Sequence, residues 1–302
     1  MNRTETELAG LDGALKRAGG QVDAALEALL PRPAGLQGRV QAAMRYAVFG
    51  GGKRLRPFLI LQSAGLFGTP VECALRAGAA IECVHTYSLV HDDLPCMDND
   101  DLRRGRATAH RAFDEATAVL AGDGLLTFAF EILTAAETHS SAAVRARLVS
   151  ELACAAGSNG MIGGQMIDIE APAHSFGADD VILLQRLKTG ALFEFCCVAG
   201  PILAEAGVEH ENRLRDYARD FGLVFQITDD LLDVLSTAEK TGKAVGKDAQ
   251  QGKATLVSLL GIDGARARAD ELAWHASQAV ACYGKSANLL QMLPSYLLTR
   301  ES

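Results

Sequence analysis

Two runs of aspartate have the residue types and spacing to do chemistry together. Residues 92–101 read Asp-Asp-Leu-Pro-Cys-Met-Asp-Asn-Asp-Asp, five carboxylates in ten positions. A second run, Gln226-Ile-Thr-Asp229-Asp230-Leu-Leu-Asp233, sets its polar residues at i, i+3, i+4 and i+7, one stripe on a helix face. Its companions Ile227, Leu231, Leu232 and Val234 are apolar, which predicts a helix lying in the core. Carboxylates at i and i+4 stand ~5–6 Å apart, and at an effective dielectric of ~20 each such pair repels by about 3 kcal/mol. A half-buried helix holds such a pair in a solvated cavity or around a divalent cation. Hard oxygen ligands that leave positions for water and phosphate are the Mg²⁺ pattern. One such cluster fits a solvated helix end equally well, but two, each flush against an apolar helix, favour metal binding.

Basic residues gather beside the acidic ones. Gly50-Gly-Gly-Lys53-Arg54-Leu-Arg56-Pro57 places three cations behind a glycine turn, where the backbone can approach a ligand and arginine forks can grip phosphate. The spacing is not that of a Walker A loop. Arg103-Arg104-Gly105-Arg106 follows the first aspartate run, and Lys243, Lys247 and Lys253 stud the polar stretch after the second. Lys188-Thr189-Gly190 falls inside an apolar helix, where a buried lysine needs an anionic partner. Cations, metal-binding carboxylates and a diphosphate would suit one another, which reconciles an anionic substrate with an acidic protein.

The elements that must position these groups are helical. Apolar residues recur at helical spacing near 5–18, 21–30, 36–49, 57–66, 71–93, 112–137, 141–162, 178–206, 211–236 and 264–282. Glycine and proline punctuate them, and Asp179 and Asp180 mark a helix start. No strand alternation, repeat or low-complexity tract is found. Pro95 cannot sit within the helix over Ala79–Val90, so that helix ends near Asp93 and a bend can return Asp98 to the side of Asp92. Residues 237–253 read as a long loop. The expected architecture is all-α, one bundle of about ten helices forming a single domain over 1–302.

Composition agrees. The 302 residues are 49% hydrophobic, 22% charged and 6% aromatic, and alanine and leucine favour helix packing over a sheet. A net charge of −8 argues against nucleic acid as the ligand. Seven cysteines without a C-x-x-C pair suit reduced core thiols. Glu5 and Glu7 with no apolar h-region give no signal peptide, and charge interrupts each long apolar stretch, so a cytoplasmic protein without a membrane span is expected.

Taken together, the motifs resemble the trans-prenyltransferase (polyprenyl diphosphate synthase) family, bacterial farnesyl diphosphate synthase type. The match covers about residues 40–262: G-G-K-R-L-R-P, D-D-x-x-x-x-D-x-D-D-L-R-R-G, G-Q-M-x-D at Gly164–Asp168, K-T-G, F-Q-I-x-D-D-x-L-D, and G-K-D with a later lysine. The resemblance implies helices around a deep cavity with the two aspartate runs facing each other across its mouth. It implies that Asp92, Asp98 and Asp229 hold three Mg²⁺ ions, with Asp93, Asp230 and Asp233 in support. Arg103, Lys188, Lys243 and Lys253 would grip an allylic diphosphate. Lys53, Arg56, His85 and Arg104 would bind isopentenyl diphosphate; His91 is read as structural. Lys188, Thr189 and Gln226 would serve ionisation of the allylic C–O bond, Thr189 and Gln226 by stabilising the carbocation. Departing diphosphate would take the final proton. Members of the family are commonly homodimers.

Tyr87 and Ser88 lie five and four positions before Asp92, roughly 6–8 Å along the axis at 1.5 Å per residue. By analogy with the family, an aromatic here blocks the growing chain and the insertion of Pro95 and Cys96 reinforces the stop. That favours the C15 product, with C20 and C10 open. A terpene cyclase is disfavoured by the second aspartate run and the G-G-K-R segment, and a non-catalytic synthase subunit by the presence of both runs.

Overall fold

The computed structural model describes residues 3–174, 176–241 and 255–299. α1 (Arg3–Leu29) runs on through Gly19 and Gly20, joining what the periodicity divides into two helices. Leu11, Ala18, Val22 and Leu26 are buried along one face, and that packing outweighs the ~1 kcal/mol that each interior glycine costs. α2 (Gly38–Val48), α3 (Leu55–Gly65) and α4 (Val71–Asp92) follow the expected bounds closely. A single helix over 112–137 is replaced by α5 (Ala109–Ala112) and α6 (Glu115–Thr134). Asp114 caps the new start by accepting the Thr117 amide at 2.7 Å. Likewise, 141–162 divides at Gly157 and Gly160 into α7 (Ala142–Ala156) and α8 (Met161–Glu170).

α9 (Ala178–Gln185) begins where Asp180 accepts the Gly177 amide at 3.0 Å, as the acidic first turn predicts. It continues through a π-helical turn, Arg186–Gly190, into α10 (Ala191–Leu203). α11 (Val208–Thr241) reaches five residues into the stretch expected to be a loop; residues 242–254 lie outside the described residues. α12 (Leu256–Ala279) precedes an unforeseen α13 (Asn288–Thr299). Pro294 would normally break that helix, but Leu290, Leu293 and Leu297 form a buried stripe that holds it. A ribbon of β1 (Leu102–Arg103) and β2 (Arg106–Ala107) also went unforeseen, being too short to show alternation. Arg104 (φ 53°) and Gly105 (φ 75°) make its two-residue turn with both φ angles positive.

α10 is the central element, with nearly every side chain from Leu192 to Leu203 buried and α3, α4, α7 and α11 packed around it. A Cβ on Gly200 would lie 2.4 Å from the Ser63 and Ala64 backbone, so α10 and α3 cross backbone to backbone. Among the described residues the main apolar core extends from Leu11 to Leu297, and Val90, Leu94, Ala109 and Ala118 form a second, smaller cluster. Contrary to expectation, α6 is long and apolar enough to cross a membrane by composition. Its Ala118, Ala121, Leu125, Ala129 and Leu133 are instead buried, with α4 and α2 packed against it. Not all the cysteines are core thiols either: Cys83, Cys196 and Cys197 are buried, whereas Cys96, Cys154 and Cys282 are exposed.

Candidate active site

The last turns of α4, the π-helical turn and the C-terminal half of α11 surround two adjoining cavities. One, of about 520 Å³, is lined by Asp92 and Lys188 together with Tyr87, Leu126, Met161 and Ile169. The other, of about 600 Å³, is lined by Lys53, Arg56, Arg104, Gln226 and Asp229. Arg56, His85, Leu89 and Thr189 belong to both, so the two spaces meet there.

The bend after α4 forms as expected. The Asp98 amide donates to the Asp92 carbonyl at 2.8 Å, and Asn99, at φ 53°, returns its amide to Leu94 at 3.1 Å. Burial pushes the Asp92 carboxyl up to about 6, with Asp98 and Asp93 adding to the rise and Lys188 and Arg103 opposing it. A cation at this rim would relieve that electrostatic cost, and the hard oxygen donors suit Mg²⁺. Among the described residues no three carboxylates converge on one point. Two of the expected ligands are turned to protein partners. Buried Asp93 accepts three hydrogen bonds from Arg103, at 2.6, 2.8 and 3.0 Å, so these two residues face one another rather than separately an ion and a diphosphate. Buried Asp230 accepts from Gln226 at 2.9 Å and from Gln185 at 3.2 Å. Half-buried Asp229 and Asp233 lie on the α11 stripe.

Lys188 is half-buried rather than buried, and it pairs with Asp168, with Nζ 2.5 Å from Oδ2. The π-helical turn sets this geometry. An ideal Cβ on Gly164 would stand 2.2 Å from the Lys188 nitrogen, so α8 presses its bare backbone against the turn. The adjacent Thr189 hydroxyl donates to Gln226 Oε1 at 3.2 Å, and the other end of that amide donates to Asp230. The chain of hydrogen bonds therefore has a fixed direction.

In the second cavity, half-buried Arg56 donates from Nη1 to His85 Nε2 at 3.3 Å and lies over the Phe193 ring at 4.7 Å. Burial lowers the Arg56 pKa, and its Nε has no hydrogen-bond partner. His85 titrates well below its ordinary range, first through burial and then through Arg56, Arg104 and Arg103. It is neutral, and with Nε2 accepting, its proton sits on Nδ1. Arg104 donates to the Gly51 carbonyl and Arg106 to the Phe49 carbonyl at 3.0 Å, so the ribbon clips the glycine turn in place.

Tyr87, 5% exposed, meets the His91 ring edge to face at 5.6 Å, and its hydroxyl has no partner. Ser88 donates to the His85 carbonyl at 2.9 Å and so presents little bulk to the cavity. Lys243 and Lys253 lie outside the described residues. The Gly164–Asp168 motif by itself gives Asp168 no role; a lysine in need of an anion is the signal in the sequence that points to it.

The family model of polyprenyl synthetase matches residues 37–293. A farnesyl diphosphate synthase of Bacillus subtilis is 43% identical over 263 residues, 87% of this chain and 89% of that protein. A chloroplastic geranylgeranyl pyrophosphate synthase of Catharanthus roseus is 42% identical over 267 residues, 87% of this chain and 74% of that one. The crystal structure of an FPP/GFPP synthase from Zymomonas mobilis superposes with a TM-score of 0.88 at 44% identity, covering 97% of this chain and all of that one. Likeness on this scale, in sequence and in structure together, shows that the chain belongs to the polyprenyl synthetase family.

Proposed function

We propose that the chain is a Mg²⁺-dependent prenyltransferase that joins isopentenyl diphosphate head-to-tail to dimethylallyl and geranyl diphosphate, with farnesyl diphosphate as product. The observation that carries this reading is the pair of cavities. One sets Asp92 and Lys188 beside apolar side chains, the other gathers Lys53, Arg54, Arg56, Arg103 and Arg104, and they meet at Thr189 and His85. That is the arrangement needed to hold one diphosphate with a long hydrocarbon tail beside a second, short one. The farnesyl and geranylgeranyl synthases among its relatives support it.

Magnesium, held by Asp92, Asp98 and Asp229 with Asp93, Asp230 and Asp233 in support, would supply positive charge to the departing diphosphate. Lys188 and Arg103, each resting on a carboxylate, can turn to the allylic diphosphate, as can Lys243 and Lys253 by motif. Thr189 donates its hydroxyl hydrogen bond to Gln226 Oε1, so its oxygen lone pairs are left for the cation formed at C1. Lys53, Arg56, Arg104 and His85 hold isopentenyl diphosphate so that its double bond attacks C1. His85 commits its basic nitrogen to Arg56, which leaves the departing diphosphate as the base for the final proton. The apolar interior excludes water from the cation.

Relatives bear both farnesyl and geranylgeranyl names at similar identity, so product length rests on Tyr87, which with His91 narrows the tail cavity. The reading includes one synthase domain over 1–302, supported by the main apolar core, and a cytoplasmic homodimer, in keeping with buried free thiols. The test is incubation with Mg²⁺, labelled isopentenyl diphosphate and dimethylallyl or geranyl diphosphate, followed by sizing of the dephosphorylated prenol. A C15 alcohol is expected. Diphosphate release without isopentenyl diphosphate, yielding a cyclic hydrocarbon, would overturn it.

A further inference from the structure

Arg54 occupies a position that its backbone resists. It starts α3 in the left-handed region, φ 48° and ψ 36°, which costs a non-glycine residue about 1 kcal/mol or more. Glycine would adopt that turn freely, so the side chain must be what the position requires. It is almost wholly buried and commits all three nitrogens to protein: Nε to Asp23 Oδ1 at 2.8 Å, Nη1 to Glu82 Oε1 at 2.6 Å and Nη2 to the Val48 carbonyl at 2.8 Å. Those partners come from α1, α4 and the end of α2. The fork thus ties three helices to the turn between Gly50 and Arg56.

Glu82 poses the complementary puzzle. It is a carboxylate only 3% exposed, and with Asp229 it lines a cavity whose other charged residues are the cations Lys53, Arg54, Arg56, Arg103 and Arg104. Its sign is wrong for touching a diphosphate and right for balancing Arg54, Arg56 and Arg104, on all of which its charge acts. We propose that the buried Arg54–Glu82 ion pair, with Asp23 and the Val48 carbonyl as its other anchors, is the positioning element that presents Lys53 and Arg56 to isopentenyl diphosphate. Arg54 and Glu82 do not contact the substrate; they act through the residues one before and two after Arg54. The inference rests on reading the cationic cavity as the isopentenyl diphosphate site.

The test compares KM for isopentenyl diphosphate with KM for geranyl diphosphate and with thermal midpoint, using the full chain and Mg²⁺. Arg54→Lys keeps the charge but loses the fork, and it is expected to raise KM for isopentenyl diphosphate about ten-fold or more while KM for geranyl diphosphate stays within about two-fold. The double variant Arg54→Gln with Glu82→Gln removes both buried charges. Its midpoint should recover toward wild type relative to Glu82→Gln alone, with KM for isopentenyl diphosphate still raised. Equal changes in both KM values, or a KM that returns with the midpoint, would overturn the proposal and leave the pair as simple scaffolding. Should Arg54→Lys not fold, Asp23→Asn weakens the same anchor from its half-exposed end, and an unmoved KM for isopentenyl diphosphate there counts against the idea. Wild-type chain that fails to condense the two diphosphates defeats the reading of the cavity itself, and this inference with it.

Discussion

Gly164→Ala tests how closely the chemistry depends on one backbone contact. The added Cβ would stand 2.2 Å from the Lys188 nitrogen and 2.6 Å from its Cα, where ordinary contact begins at 3.4 Å. The atoms in the way are backbone, so no side chain can swing aside. α8 or the π-helical turn must retreat by about 1.2 Å, the difference between 3.4 and 2.2. Overpacking of this kind costs about 1–3 kcal/mol of stability, and a displacement of ~1 Å at a reacting centre costs about 10²-fold in rate. Steady-state kinetics should therefore show kcat down by about two orders of magnitude and KM for geranyl diphosphate up, because Lys188 moves. KM for isopentenyl diphosphate should change little. Gly20→Ala is the control, since its Cβ would meet nothing within 4 Å and α1 should gain about 0.5–1 kcal/mol. A Gly164→Ala enzyme with kcat within about three-fold of wild type would refute the claim that this contact places the turn carrying Lys188 and Thr189 for catalysis.

Tyr87→Ala should lengthen the product beyond C15, seen by chromatography of the dephosphorylated prenols, whereas Tyr87→Phe should keep it. Because the Tyr87 hydroxyl is buried without a partner and its pKa is pushed up to about 12 by burial, the Phe variant should be no less stable by thermal denaturation. Asp92→Asn should stabilise the metal-free protein at pH 7 by up to about 3 kcal/mol, since about two pKa units separate the folded carboxyl at about 6 from its ordinary 3.8. A raised carboxyl penalises the folded state above pH 6; the penalty fades as pH falls through 6 and vanishes below 3.8, so urea unfolding should show the two proteins converging in acid. A gain that grows toward low pH would contradict this. Chelation with EDTA should stop prenol formation and added Mg²⁺ restore it, while persistence of turnover after exhaustive chelation would remove the metal from the mechanism.

The chemistry proved legible in proportion to how local it is. The stripe Gln226–Asp233 declares itself because helical spacing alone puts those side chains on one face, and the return of Asp98 to Asp92 follows from a proline that cannot continue a helix. The hydrogen bonds that orient these groups did not show. Asp168 is 20 residues from Lys188, Glu82 is 28 from Arg54, and Gln185 is 45 from Asp230. No periodicity links such pairs; packing of α8 on the turn and of α4 on α3 brings them together. Among the elements, the ribbon after Asp101 and α13 were missed for a related reason, as each is held by contacts with the rest of the molecule that outweigh its own propensity.

The π-helical turn at Arg186–Gly190 has a consequence for everything downstream of it. A regular helix advances about 100° per residue, and a π turn absorbs one residue more than an α turn. The insertion shifts the phase of α10 against α9 by that angle. Were the turn to relax to α geometry, Thr189 would rotate away, and so would Phe193, Cys196 and Cys197, the buried face of the central helix. Active-site register and core register are therefore one setting, and selection acting on either must keep the extra residue.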